Sequence, residues 1–159
     1  MNGNKIMTTL GILLLTGLGY FKGMGFYSQS KTPDIGLDLK GNLTLCGEKP
    51  NCVSSSNTDE SHKIKPIKNS LEIGQLVDSI KNFGIELQTL KDNYAHFTAK
   101  SAIMGFVDDI EVLKVGNIVH VKSISRVGHS DLGANRKRID AIRLHLKNNS
   151  ANWALHNPK

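Results

Sequence analysis

Several features common in enzymes and nucleic-acid-binding proteins are missing from this sequence. It contains only 2 cysteines and 6% aromatic residues in 159 residues. No internal repeat and no G-x-S-x-G motif is present, which excludes repeat architectures and nucleophile-elbow hydrolases. The basic stretch near the end has no interleaved aromatic residues on which bases could stack, so we expect no nucleic-acid partner.

The remaining composition is that of one ordinary globular domain. Hydrophobic residues make up 39% and charged residues 21%, so neither a disordered chain nor a multi-span membrane protein is favoured. A length of 159 residues leaves no room for a second domain of typical size. The net charge of +6 indicates weak attraction to anionic surfaces without selecting one of them.

One long apolar run occupies the N-terminus. After Lys5 the chain continues from Ile6 to Phe21 without a charge, then passes Lys22 into a small and apolar stretch that ends at Tyr27. Sixteen helical residues cover about 24 Å of the roughly 30 Å hydrocarbon core, and the extension to Tyr27 supplies the rest if Lys22 snorkels. We therefore predict a transmembrane helix in residues 1–27 that contacts the lipid bilayer through residues 6–27.

A secretory signal peptide is the alternative for this segment. Such a peptide needs a small-x-small cleavage site, but Tyr20, Phe21 and Lys22 occupy the region where it would lie. An uncleaved signal-anchor is favoured. The flanking charges do not set its orientation, since basic residues lie on both sides. The cysteines favour the oxidising side, which predicts a single-pass protein of the cell (inner) membrane with its domain extracytoplasmic.

The first half of the remaining chain shows little periodicity. Residues 28–35 are predicted to form a linker, and the loop-like composition continues to about Asn69. From Ser70, a candidate N-cap, apolar residues recur at helical spacing until Gly84, a candidate stop. They are Ile73, Leu76, Val77, Ile80 and Phe83.

Two hairpins and a final helix are predicted after Gly84. The strands are residues 85–90, 94–100, 106–113 and 118–125, with turn residues within each pair. Ser130 and Asp131 are a predicted cap, and the residues after them recur at helical spacing and predict a final helix. Its apolar stripe consists of Leu132, Asn135, Ile139, Ile142 and Leu146. The fold class is α+β, with a four-stranded antiparallel sheet, two helices on one of its faces and the N-terminal transmembrane helix. The tail, residues 149–159, carries no period.

Two stretches resemble the family called domain of unknown function 1499. Residues 36–55 read GLDLKGNLTLCGEKPNCVSS, and residues 105–138 read GFVDDIEVLKVGNIVHVKSISRVGHSDLGANRKR. The resemblance covers residues 36–147 and places the domain at 36–148. It implies a small α+β domain, often membrane-anchored or exported. No particular biochemical activity follows from the resemblance. The chain departs from the family at Gly47, where proline is common, and at His129, where an aromatic residue is usual; the second departure argues against a catalytic His129.

The two cysteines, Cys46 and Cys52, lie in one turn-rich loop. In an exported domain such a pair favours a disulfide, which would hold the loop against the sheet. A structural zinc bound by both cysteines and His62 is the alternative, but the C-x5-C spacing is wider than the usual two to four residues. We predict no metal and no cofactor.

Consecutive carboxylates, Asp108 and Asp109, lie on a predicted strand. Successive strand residues point to opposite faces, so the two cannot share one acid–base site without a bulge. A buried carboxylate needs a cationic partner, and Arg126 and Arg138 are the candidates. A structural ion pair is favoured over catalysis.

The basic segment 121–147 offers a possible anion site. Gly128 to Gly133 lead into the final helix, whose N-terminal N–H groups could bind an anion between Arg126 and Arg136. If Asp131 caps the helix it already occupies those donors, which leaves a capped helix with a solvated basic face. Asn135, a polar residue on the apolar stripe, is predicted to satisfy backbone groups of the neighbouring loop.

These residues are predicted to form one site or one structural core. The set is Asp108, Asp109, Arg126, Ser130, Asp131, Asn135, Arg136 and Arg138. The favoured function is a membrane-anchored extracytoplasmic module that binds an unknown protein or an anionic small molecule. The alternative is a hydrolase or transferase that uses Asp108, Asp109, Arg126 and Asn135. An open concavity lined by these residues would favour a ligand, and complete burial a scaffold.

Overall fold

A computed structural model describes residues 3–156, with side chains described for residues 6–148. The elements are α1 Gly3–Ser30, β1 Cys52–Ser54, β2 Ile67–Lys68, α2 Ile73–Lys81, β3 Glu86–Lys91, β4 Tyr94–Lys100, β5 Val107–Val115, β6 Ile118–Ser125 and α3 Ala134–His156. The α+β prediction is confirmed.

The sheet contains the predicted meander and is larger than predicted. Strands β3 to β6 pair successively and antiparallel. Within residues 3–156 the sheet has six strands, because β1 and β2 both pair antiparallel with β6. The prediction of four strands was wrong on this point. The added strands have three and two residues, too few to show an alternating pattern.

Two helices cover one face of the sheet, as predicted. Leu76, Val77 and Ile80 of α2 and Ile139, Ile142 and Leu146 of α3 are buried against the strands. Leu132 does not join this stripe. It lies before the helix with a φ of 54° and is 88% exposed.

The start of α2 also differs from the prediction. Glu72, not Ser70, is the N-cap, and its backbone N–H donates to Gln75 Oε1 at 3.1 Å. Asn69 Oδ1 accepts the Leu71 N–H, so residues 69–71 form a turn that delays the helix. Gly84, with a φ of 68°, ends the segment as predicted.

Helix α1 extends beyond the predicted anchor and is attached to the domain. Residues 6–30 are long and apolar enough to cross a membrane, and most of this stretch is exposed. Its last turn includes Ser28, which is buried; Ser28 Oγ accepts the Val107 N–H at 2.9 Å. The linker predicted at residues 28–35 is therefore helical at its start, because Ser28 is fixed on β5.

Helix α3 continues to His156, so residues 149–156 of the predicted tail are helical. Residues 157–159 lie outside the described part of the chain.

Candidate functional site

The sheet separates the predicted site residues. Asp108 and Asp109 are neighbours on β5 and point to opposite faces, as predicted. Asp108 lies on the face covered by α2 and α3, here called the helix face. Asp109 lies on the other face, here called the outer face, which is covered by residues 31–49.

On the outer face, Asp109 forms a buried ion pair with Arg126. Arg126 donates from Nε to Oδ2 at 2.7 Å and from Nη2 to Oδ1 at 2.8 Å, and His96 Nε2 lies 2.8 Å from Oδ1. Burial raises the pKa of Asp109, but the hydrogen bonds from Arg126 and His96 outweigh it and leave the pKa below its ordinary value. The hydrogen bonds to Asp109 raise the pKa of Arg126. The predicted ion pair is present.

A second buried charge pair lies beside the first and was missed in the sequence. Glu111 and Lys122 are directly opposed on β5 and β6, and their side chains are fully buried with 3.8 Å between Oε2 and Nζ. Glu111 Oε1 accepts hydrogen bonds from Tyr94 Oη and the Gly36 N–H, while Lys122 Nζ donates to Asp34 O and Thr44 Oγ1. The pairing register of the second hairpin was the signal that could have revealed this pair.

Burial raises the pKa of Glu111 despite these hydrogen bonds, and burial together with the nearby carboxylate raises the pKa of Tyr94. The Glu111–Lys122 pair holds residues 34–44 on the outer face.

The outer face leaves one cavity of about 370 Å³ beside Asp109 and Arg126. Its wall on the other side is the disulfide loop, with Glu48 and Lys49, and Asp34 completes the rim. The lining carries acidic and basic residues together. Both charges at its base, Asp109 and Arg126, already neutralise each other.

On the helix face, Arg138 and Asn135 form a saturated network. Arg138 donates from Nη2 to Asp108 Oδ2 and from Nη1 to Asn135 Oδ1, both at 2.6 Å. Asn135 is fully buried, accepts from Ser123 Oγ at 2.6 Å and donates to Asn51 O at 2.9 Å. Asn135 thus satisfies a buried backbone carbonyl, although of Asn51 rather than of the loop before α3. Its environment is that of a scaffold.

The N-terminus of α3 is occupied by its own cap. Asp131 accepts the Gly133 N–H on Oδ1 and the Asn135 N–H on Oδ2, at 3.0 and 2.7 Å, and Ser130 Oγ accepts the Leu132 N–H. Arg136 points away from this loop and donates to the carbonyls of Ser61 and Lys63. These contacts correspond to the capped-helix alternative.

The disulfide between Cys46 and Cys52 is present, which removes both sulfurs as ligands of the alternative zinc site. His62 instead lies between Asp59 Oδ1, at 2.6 Å from Nδ1, and Lys49 O, at 3.1 Å from Nε2. His62 therefore positions the disulfide loop. Among residues 3–156, no group of three His, Cys, Asp or Glu side chains is placed to hold a metal ion.

The larger cleft, about 550 Å³, lies between α1 and the domain, and it is called the α1 cleft below. Tyr20, Phe21 and Met24 form its wall on α1. The domain contributes Ala99, Lys100, Ser101, Phe106, Val107, Asp108, Ser125, Val127, Gly128, Ser130, Asp131, Leu132, Ala134 and Arg138. Four of the eight predicted site residues thus line this cleft, namely Asp108, Ser130, Asp131 and Arg138.

The predicted site residues therefore do not form one site. Some line the α1 cleft, some line the smaller cavity, and the others make structural contacts. Asp109 and Arg126 lie at the smaller cavity, while Asn135 and Arg136 are used structurally. The four residues of the hydrolase or transferase alternative do not converge, because Asp109 and Arg126 are on the outer face and Asp108 and Asn135 on the helix face.

Comparison with known proteins places the domain in a family. The family described as "Protein of unknown function (DUF1499)" matches residues 42–146. The chain belongs to the DUF1499 family. The DUF1499 match extends from the segment before β1 to the buried part of α3 and confirms the resemblance seen in the sequence. No curated protein and no solved structure matches this chain significantly. Helix α1, one wall of the α1 cleft, lies outside the DUF1499 match.

Proposed function

We propose that this DUF1499 protein is a single-pass binding module of the cell (inner) membrane, with its domain on the extracytoplasmic side, and that it binds an amphipathic ligand in the α1 cleft. The observation that carries the proposal is the composition of the cleft walls. One wall is the apolar helix, and the other combines the end of β4, the start of β5 and the polar loop before α3. A ligand in this position would contact both.

Two features support the location. From Ile6 to Tyr27, α1 is about 33 Å long at 1.5 Å per residue, enough for a hydrocarbon core of about 30 Å. The Cys46–Cys52 disulfide fits a domain in an oxidising compartment.

The chemistry of the α1 cleft supports an amphipathic ligand. Phe21, Met24, Phe106 and Val107 supply apolar surface, whereas Ser130 and the Asp108–Arg138 pair supply polar groups at another part of the wall. Among its described lining residues, Lys100 and Arg138 are balanced by Asp108 and Asp131. The cleft thus offers no excess positive charge for the anionic ligand predicted from the sequence, and an apolar part of the ligand must supply affinity.

The proposal is tested by photolabelling. Full-length protein in detergent micelles is exposed to a diazirine-bearing decanoic acid, a soluble amphiphile, and the labelled peptides are mapped by mass spectrometry. We expect label in residues 99–108 and 125–134, the two segments of the domain that line the cleft.

Two alanines of α3 provide the matched variants. Ala134 lines the α1 cleft, whereas Ala141 is exposed on the same helix and does not line it. Ala134→Trp fills the cleft and should reduce domain labelling at least fivefold, and Ala141→Trp should leave it unchanged. Equal labelling of both variants and the wild type would contradict a binding site in the α1 cleft.

A further inference from the structure

We infer that the occupant of the α1 cleft is a phospholipid that enters sideways from the surrounding leaflet and inserts one acyl chain between α1 and the loop before α3. The inference rests on the proposed function and identifies the ligand class. It follows from the level of the cleft, the attachment of α1 and the charges of the wall.

The depth of the cleft relative to the bilayer follows from the length of α1. If the bilayer core begins at Ile6, about 30 Å of helix ends near residue 25. Tyr20, Phe21 and Met24 then lie within about 8 Å of the end of the hydrocarbon core, beside the acyl chains of that leaflet. Because these residues form one wall of the cleft, the cleft opens towards these acyl chains.

The domain is fixed at this level by close contacts with α1. A Cβ on Gly25 would lie 1.7 Å from Met104 O, so the two backbones touch. Gln29 Nε2 donates to Gly105 O at 3.3 Å, and Lys100 Nζ donates to Gln29 Oε1 at 2.9 Å. The loop that follows β4 is therefore held against the last two turns of α1.

Exposed apolar side chains lie on two loops that border α1 or the α1 cleft. Ile103, in the loop fixed to α1, is 73% exposed, and Leu132, at the cleft wall, is 88% exposed. Leu132 also has a left-handed backbone, uncommon for a residue with a side chain. Burial in the acyl region would remove both side chains from water.

The charges of the wall indicate that the acyl chain, and not the headgroup charge, determines binding. Arg138 is paired with Asp108, and Asp131 is bonded to the N-terminus of α3. Lys100 is bonded to Gln29. Since the two cations of the lining, Lys100 and Arg138, are matched in number by Asp108 and Asp131, an anionic headgroup gains little over a zwitterionic one.

The experiment uses full-length protein reconstituted into vesicles with trace phospholipids that carry a diazirine near the middle of one acyl chain. One probe has a phosphatidylethanolamine headgroup and the other a phosphatidylglycerol headgroup. We expect both to label residues 125–134 to within twofold of each other, at 50 mM and at about 500 mM salt alike. Ala134→Trp should reduce this label at least fivefold, with Ala141→Trp as control.

Four results would overturn the inference. Label confined to residues 6–24 would show ordinary contact of an anchor with lipid. A tenfold preference for phosphatidylglycerol that is lost in salt would show binding by headgroup charge. Domain labelling by the soluble decanoic acid without labelling by either phospholipid would preserve the proposed function and exclude lipid as the ligand. Absence of domain labelling by all probes would contradict both proposals.

Discussion

Single residues on the outer face show how a carboxylate is kept charged inside this domain. Asp109 is completely buried, yet three nitrogens lie within hydrogen-bonding distance of its oxygens, two of Arg126 and one of His96. These partners replace the water that the carboxylate loses on folding. Asp109 and Arg126 therefore stabilise the sheet, whether or not a ligand binds in the neighbouring cavity.

Asp109→Asn removes the charge but retains the shape. We expect the free energy of unfolding to fall by about 2–4 kcal/mol at pH 7. This loss is smaller than for a fully buried pair because the Arg126 side chain is 13% exposed. The folded pKa of Asp109 is below the ordinary value of 3.8, so its contribution is present above about pH 4 and is lost as the pH falls towards the folded pKa.

Urea denaturation in detergent at pH 7 and pH 3, followed by circular dichroism, measures this effect. The difference between wild type and variant should shrink at pH 3. Asp140→Asn, which removes an exposed partner of Arg143, is the control and should change stability by less than about 0.5 kcal/mol. An equal loss in both variants would contradict a specific role of the buried pair.

Glu111 has the opposite dependence on pH. Its folded pKa is raised by burial, so the carboxylate costs stability as the pH rises through that value, and Lys122 offsets part of this cost. Lys122→Met leaves the buried carboxylate without its cation. We expect the free energy of unfolding to fall by about 3–5 kcal/mol at pH 7, and by less as the pH is lowered towards the raised pKa of Glu111, where the carboxylate takes up a proton.

The pH profile of the unfolding free energy tests this prediction. Lys91→Met, an exposed lysine on the edge strand β3, is the control and should follow the wild-type profile. A loss of stability in Lys122→Met that does not change as the pH is lowered from 7 would show that Lys122 acts through packing alone.

At the scale of elements, the loop closed by the Cys46–Cys52 disulfide connects the segment that covers the outer face to β1. Cys52 begins β1, and the loop before it forms one wall of the smaller cavity. Because the bridge spans only six positions, replacement of both cysteines by serine should cost about 2 kcal/mol. Thermal unfolding of the full chain measures this loss. Reduction of the wild type should produce the same shift, and a shift only in the serine variant would indicate a packing defect.

Substitution of two glycines of α1 tests whether this helix is attached to the domain. Gly25 touches the Met104 carbonyl, whereas a Cβ on Gly23 would meet nothing within 4 Å. Gly25→Ala should separate α1 from the loop after β4 and cost about 1–3 kcal/mol, because the clash is with backbone. Gly23→Ala should not destabilise, since alanine favours a helix.

Hydrogen exchange of residues 101–107 in detergent reports the separation directly. We expect faster exchange in Gly25→Ala and wild-type rates in Gly23→Ala. Unchanged exchange in both variants would contradict the close contact between α1 and the domain.

The elements that the sequence predicted are those with a persistent period. Alternation over 6 to 9 residues identified β3 to β6, and helical spacing identified α2 and α3. Strands β1 and β2 exist only through pairing with β6, a long-range contact without local pattern. Leu132 has the right spacing for the stripe of α3, but the Asp131 cap starts the helix after it.

At the scale of the whole molecule, the site was harder to predict than the fold. Asp108 with Arg138 and Asp109 with Arg126 could be expected as ion pairs, because charges on a strand need partners. Their separation by the sheet followed from β periodicity. The α1 cleft could not be predicted, because Tyr20, Phe21 and Met24 look like ordinary anchor residues until α1 is docked on the domain.

The orientation of the whole chain in the membrane can be tested with thiol reagents. If α1 crosses the cell membrane and the domain is extracytoplasmic, Cys46 is partly exposed on the outside and is bonded to Cys52, which is buried. In intact cells a membrane-impermeant maleimide should therefore label the full chain at Cys46, and only after treatment with a membrane-impermeant reductant. A cytoplasmic protein with one exposed cysteine is the control and should be labelled only in lysed cells. Labelling of the chain that requires lysis but no reductant would place the domain in the cytoplasm with free thiols, and would remove the physical basis for an outer-leaflet ligand.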